Sequence, residues 1–362
     1  MNLDCPQVIE LIQHGIERRL HTGVQLSFNL RGNIVDLAYG QATPEMTMTP
    51  DSILMWLSAA KPLTVLALAQ LVEQRQLDWN ESLFKYFPEW HNDTAKSDLT
   101  LWHLLTHTAG LVEIETGWPE LPWDEVLDRV LAAPLVSENA PGHVAAYSPQ
   151  VNWVIAAELM ERVVGATYRE IMLETVLAPL GMDETDCVRH QSPELLARYG
   201  NMYERVRGEL TPDVMQQRID SAVPNAGSSY RGPARDLRKF YDLMNNQGQP
   251  LIQPETFHEI TRRQRIGMFD QTLQHIVDYG LGVIVNSNRY GAQTIPYGYG
   301  PYCSEETFGH AGSQSSSGFA DPGNQLSVVM IANGRPGEGQ HQRRFRELLT
   351  ALYQDLGLAE TV

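Results

Sequence analysis

The feature that most constrains this chain is where its alternating segments lie. Val24, Leu26, Phe28 and Leu30 alternate with polar neighbours, Arg31-Gly32-Asn33 reads as a turn, and Ile34 to Ala38 follows, which is the signature of a β-hairpin. Strand-like text then vanishes. It returns only late, in Gly280 to Val285, in Gly318 to Asp321 and most strongly in Leu326 to Asn333. Between about residues 78 and 220 no β-alternation is found. Strands at both ends with helices between them predict an antiparallel sheet built from the two terminal regions, with a helical domain inserted. The expected class is α+β, an α/β sandwich plus an all-α insert. The α/β domain takes residues 1–77 and 221–362, the insert takes 78–220, and the active site lies at their interface.

Helical periodicity fills in the rest. Residues 7–20 carry Val8, Ile9, Leu11, Ile12, Ile16 and Leu20 on one face. Leu99 to Gly110 opens as a capped short helix and ends at a glycine, and Trp123 to Ala133 is helical. Asn152 to Val164 closes at Gly165, Tyr168 to Leu177 is broken by Pro179-Leu180-Gly181-Met182, and Phe345 to Leu356 is a closing helix. The 362 residues, 43% hydrophobic and 20% charged, have an ordinary globular composition. No run reaches the ~18 apolar residues of a membrane span. A net charge of −17 disfavours nucleic acid and anionic membrane as partners. Cys5, Cys187 and Cys303 are odd in number and far apart, so they form neither a metal spacing nor a disulfide framework. Met1 to Pro6 lacks a basic region leading into an apolar run, so no secretory signal is expected and a cytoplasmic location fits best.

Chemistry enters at Trp56 to Leu63. Ser58 and Lys61 stand three residues apart, on one face of a helix start. The segment behind them, Leu63 to Gln74, is apolar at Leu63, Val65, Leu66, Leu68, Ala69 and Leu71, which suits a buried helix. Burial there would lower the lysine pKa, hold base and nucleophile together, and offer backbone N–H groups where negative charge develops. Three further segments complete a set: Tyr147-Ser148 after Pro141-Gly142, Gly309-His310-Ala311-Gly312-Ser313, and Leu104 to Gly110.

These segments carry a resemblance. Ser58 to Asp78, which begins Ser-Ala-Ala-Lys-Pro-Leu, resembles the serine β-lactamase-related superfamily, in the branch of class C β-lactamases, D-amino-acid-specific peptidases and family VIII esterases. Leu104 to Gly110 is similar to that branch's LLTHTSGL segment and Pro179 to Met182 to its PLGM segment. Arg235-Asp236-Leu237 matches the helix start after its glycine-rich turn, and His310-Ala311-Gly312 its Lys/His-x-Gly strand motif. The matches run in family order from about residue 20 to 335.

The resemblance implies a β-lactamase/transpeptidase-like fold in which Ser58 is acylated, Lys61 takes part in its deprotonation, and Tyr147 serves as base and then acid. As a phenolate, Tyr147 needs nearby cations, for which Lys61 and His310 are available. The backbone N–H groups of Ser58 and Ser313 would form the oxyanion hole, with His310 and Gly312 lining it. His107 would support the fold away from the chemistry, and His103 and His143 are read as surface or core residues. Two departures stand out. The usual Tyr-x-Asn is Tyr147-Ser148-Pro149, with Asn152 one helical turn on, and His310 replaces lysine, leaving a weaker, pH-dependent charge for a substrate carboxylate. The expected activity is hydrolysis of an ester or amide, short-chain esters foremost. An acyltransferase or a D-amino-acid peptidase or amidase of a biosynthetic pathway is the alternative, and a non-catalytic ligand-binding relative the rival of another class. The expected partner is a small-molecule acyl substrate, and no metal or organic cofactor is implied.

Overall fold

A computed structural model describes residues 3–137, 139–213 and 223–359. Its centre is a seven-stranded sheet of β1 (Gly23–Leu30), β2 (Asn33–Thr43), β3 (Met46–Thr47), β4 (Ile284–Val285), β5 (Phe308–Gly312), β6 (Ser316–Asp321) and β7 (Leu326–Ala332). The spatial order is β4-β5-β6-β7-β1-β2-β3, with every neighbouring pair antiparallel. The first hairpin closes through Arg31 and Gly32 at φ 53° and 87°, the two positive-φ positions of a tight turn that matches strand twist. Strand β1 then pairs on its other edge with β7, from Val24 opposite Ala332 to Leu30 opposite Leu326. The expected joining of early and late strands is therefore made at the middle of the sheet, consistent with the β-lactamase/transpeptidase-like fold.

Alternation sorts the side chains into two layers. Val24, Leu26 and Phe28 of β1 and Val328, Met330 and Ala332 of β7 pack with Val8 and Ile12 of helix α1 (Pro6–Glu17) and with Phe345, Leu348 and Leu352 of the closing helix, Glu338–Asp355. Val329 and Ile331 point the other way, into a core shared with α2 (Lys61–Glu73) and with Leu237, Phe240 and Met244 of the helix Ala234–Asn245. Helix α2 is buried on nearly all sides. It can therefore carry a reactive group only at its first turn, where it meets the sheet.

Three local readings differ from the sequence expectation. Ser58 lies in a 3-10 turn, Leu57–Ala60, and the α-helix starts at Lys61. The helix begun at Tyr168 turns into a π-helical turn over Leu173–Leu177. The stretch 78–220 is not wholly helical: Tyr203–Val206 and Glu209–Pro212 form a hairpin, and its first strand runs parallel to Gly334–Arg335 beside the end of β7. The strands are four residues each and show no buried–exposed alternation, so alternation alone did not reveal them. Their turn, Arg207-Gly208 with φ 51° and 91°, repeats the Arg31-Gly32 signature. The expected domain boundary at 220/221 lies outside the described residues. Among the described residues, no helix is long and apolar enough to cross a membrane.

Asn333 knits the sheet end together. Its Oδ1 accepts the N–H groups of Thr22 (3.0 Å) and Gly23 (2.9 Å), and its Nδ2 donates to Thr22 Oγ1 (2.8 Å) and Gln41 O (3.0 Å). Asn333→Ala leaves backbone groups beside a fully buried site without partners, and should cost roughly 2–4 kcal/mol. Urea unfolding measures it; a loss below ~0.5 kcal/mol would show that water takes over these bonds without penalty.

Candidate active site

The Ser58 turn is clamped before it is chemical. Trp56 N–H donates to Tyr230 O (3.0 Å), its indole Nε1–H donates to Gly232 O (2.9 Å), and its carbonyl accepts from Ser316 Oγ (2.6 Å). Leu57 follows at φ 53°, an uncommon conformation for a branched side chain, held by these bonds. Strand β5 reaches this turn at Gly312, where a Cβ would stand 2.3 Å from Trp56 O. Only glycine lets the strand end come so close, and Ser313 follows directly. The N–H of Ser58 lies in the first turn of its helix, where no acceptor exists within the helix. Ser58 and Ser313 both line one cavity of about 600 Å³.

Lys61 is fully buried. Its Nζ lies 3.0 Å from Ser58 Oγ, 3.0 Å from Pro149 O and 2.6 Å from Gly227 O. Burial pushes the ammonium down from 10.5 to about 7, with Glu113 opposing in part. In the neutral form two N–H groups remain, and the two carbonyls can only accept. The lone pair is then left facing the Ser58 hydroxyl, which donates to it. Burial makes the neutral form accessible near pH 7, and the two carbonyls set the direction of the base.

Tyr147 lines the same cavity as Ser58, whose hydroxyl is near enough to the phenol to offset part of the rise in its pKa. Burial raises its pKa well above the ordinary phenol range, with Glu113 and Asp270 adding to the rise. The expectation of a phenolate stabilised by cations is corrected on both sides. Burial also lowers the pKa of His310, to about 3, and Lys61 pushes in the same direction. The His310 ring is neutral, donates Nδ1–H to Ala311 O (2.8 Å), and lies 5.8 Å from the Tyr147 ring between centroids. A neutral phenol beside Ser58 is a proton donor.

Asn152 is not brought into the cavity. It is buried, with Nδ2 donating to Leu104 O (2.9 Å) and its N–H to Ser148 Oγ (3.1 Å). His107 stands nearer the chemistry than expected: its ring centroid is 4.7 Å from that of Tyr147, and Nδ1 accepts the Ser148 N–H (3.0 Å). His103 caps the helix Leu101–Leu105 through a reciprocal box with Thr100, and His143 is exposed.

The comparisons bear on this geometry. Residues 8–352 match the family described as Beta-lactamase. The chain belongs to the Beta-lactamase family. Penicillin-binding protein 4* of Bacillus subtilis (strain 168) is 26% identical over 269 residues, 70% of this chain and 57% of that protein. The chain thus spans little more than half the length of that curated relative. Esterase EstB of Burkholderia gladioli is 24% identical over 326 residues, covering 79% of this chain and 78% of the esterase. The solved structure of EstCE1, described as a hydrolase with promiscuous acyltransferase activity, superposes with a TM-score of 0.82 at 20% identity, over 96% of this chain and 97% of that one. The Beta-lactamase family and these relatives comprise serine hydrolases and acyltransferases.

Several supporting residues of this Beta-lactamase family chain escaped the sequence reading. The Glu113 carboxylate accepts from Ser148 Oγ (2.6 Å) and from the N–H groups of Gln150 (2.8 Å) and Val151 (3.3 Å), which fixes the turn after Tyr147. Asp270 Oδ1 accepts the N–H groups of Tyr147, Thr272 and Leu273, while Oδ2 pairs with Arg265 at 3.0 Å, both side chains fully buried. Nothing near Tyr147 in the sequence points to residues this far along the chain. Gly227, the acceptor closest to Lys61, does lie in the glycine-bearing turn Asn225 to Ser228 ahead of Arg235-Asp236-Leu237.

Acylation of Ser58 requires the amine form of Lys61, so its rate should rise with pH on an apparent pKa near 7 and fall as the ammonium forms below it. Lys61→Arg keeps a charge that cannot leave in this range and should be about as inactive as Lys61→Ala. Single-turnover acylation between about pH 5 and 10 reads both effects. An arginine variant within about tenfold of the unsubstituted enzyme would show that Lys61 supplies charge alone.

Proposed function

We propose that this chain is a serine hydrolase that cleaves an ester or amide, short-chain esters foremost, through an acyl-Ser58 intermediate. The observation that carries this reading is the buried Lys61 amine, whose Nζ stands 3.0 Å from Ser58 Oγ at the edge of a cavity and whose pKa burial lowers to about 7. Lys61 Nζ takes the hydroxyl proton as Oγ attacks the acyl carbon. The developing oxyanion is received by the N–H groups of Ser58 and Ser313; removing one such donor typically costs roughly 3 kcal/mol of transition-state stabilisation. The Tyr147 phenol gives its proton to the leaving oxygen or nitrogen; in deacylation the resulting phenolate takes a proton from the attacking water, and the Lys61 ammonium returns its proton to Ser58 Oγ as the acyl bond breaks. Pro149 stands where a side-chain amide would be needed to hold an acylamido group, and its own carbonyl is committed to Lys61. That supports simple esters over β-lactams.

Acyl transfer is the second reading. A cavity of about 600 Å³ leaves space for an acceptor alcohol beside a short acyl group. Partition of the acyl-enzyme between water and an added alcohol distinguishes the two.

Ser58→Ala should lower p-nitrophenyl butyrate hydrolysis by at least about 1,000-fold while circular dichroism stays unchanged. A fluorophosphonate should add one equivalent of mass to the unsubstituted enzyme and none to the variant. A binding protein without catalysis shows no adduct in either. For substrate class, kcat/KM for p-nitrophenyl butyrate should exceed that for nitrocefin; the reverse order would sink the ester reading.

A further inference from the structure

Beyond the catalytic set, the cavity lining holds acceptors at His310 and Glu338, hydroxyls at Thr272, Tyr279, Tyr297 and Ser313, and the amides of Gln274 and Gln342. His310 is 2% exposed and lines the cavity. Its Nδ1–H is spent on Ala311 O, so the lone pair is on Nε2, which has no partner among the described residues. Such an atom awaits a donor. Among the described residues that line the cavity, Glu338 is the one with a permanent formal charge, at the start of the closing helix. Its carboxylate is exposed and accepts from the Tyr297 hydroxyl (2.8 Å) and from Gln342 Nε2 (3.4 Å), which leaves further lone pairs open.

No cation balances it on the cavity wall. Lys61 is buried behind Ser58, outside the cavity lining, with its pKa lowered to about 7; His310 is neutral, and Arg265 is fully buried against Asp270. The remaining wall combines Tyr147, Tyr279, Leu273, Ile284 and Pro296 with the uncharged polar side chains of Thr272, Gln274, Ser313 and Gln342. Tyrosine faces beside a carboxylate suit an ammonium group, through ring attraction and direct pairing. The net charge of −17 draws cations towards such a mouth. A substrate carboxylate would meet repulsion at Glu338 and no partner at His310.

We propose that this site takes acyl substrates that carry an ammonium group and no carboxylate, with Glu338 as the residue that selects for the cation. The proposal rests on the acyl-Ser58 reading and names its substrate class.

The test is protection of Ser58 from a neutral fluorophosphonate, which needs no turnover. Three protectants of matched size are compared: butyrylcholine, its uncharged isostere 3,3-dimethylbutyl butyrate, and a butyrate ester whose alcohol ends in a carboxylate. Butyrylcholine should protect at a concentration about tenfold below the isostere, and the carboxylate ester should be the weakest. Thiol release from butyrylthiocholine and its uncharged thioester isostere gives the corresponding kcat/KM ratio. In Glu338→Gln the amide oxygen still accepts from Tyr297, so the cation-to-isostere ratio should fall to within about twofold of one. A losses-in-common effect on both members cancels in that ratio. Equal protection by the cation and the isostere in the unsubstituted enzyme, or a ratio that survives Glu338→Gln, overturns the proposal. Absence of any fluorophosphonate adduct on Ser58 strikes the acyl-enzyme reading instead, so the two failures are distinguishable.

Discussion

The site depends on one buried amine whose neighbours can accept hydrogen bonds but cannot neutralise its charge. Two backbone carbonyls take the N–H groups of Lys61, and among the described residues no carboxylate stands within bonding distance of it. Those carbonyls come from distant stretches, Pro149 after the tyrosine segment and Gly227 in a tight turn. Burial lowers the lysine's pKa, and the two carbonyls orient the amine towards Ser58. A carboxylate in either place would restore the ammonium and remove the base.

The supports arranged around that amine are mostly rigid and polar. Glu113 fixes the backbone after Tyr147, and Asp270 fixes the backbone at Tyr147 while ordering the cavity wall at Thr272 and Leu273. Breaking a buried ion pair such as Asp270–Arg265 leaves an uncompensated charge and typically costs roughly 3–5 kcal/mol. The bonds of Asp270 to two separate segments tie catalytic geometry to substrate shape.

Much of this could be read in the sequence, for identifiable reasons. The β1–β2 hairpin was visible through the alternation of β1 and its turn, and β7 through a continuous apolar, β-branched run, because that strand is buried on both faces. Ser58 and Lys61 were visible because their spacing is local. What stayed hidden depends on contacts between distant segments. Asp270 and Tyr147 are 123 residues apart, and Glu113 and Ser148 are 35 apart. The neutrality of His310 is a property of its enclosure and not of its residue type, so reading it as a cation could not be corrected before the fold was known. The hairpin at Tyr203–Pro212 was missed because its partner strand is as short as two residues and far away.

The pairing of β1 with β7 has a consequence for biosynthesis. Gly23 and Asn333 are bonded neighbours separated by 310 residues of chain. At ~5–20 residues per second, a ribosome needs roughly 15–60 s to supply that intervening length. Throughout this interval the nascent β1–β2 hairpin holds one apolar edge bare, an invitation to pair with another chain. Fragments that stop before Leu326 keep that edge for good. They are expected to be clients of chaperones and to aggregate, even when every residue of the catalytic set has already been made.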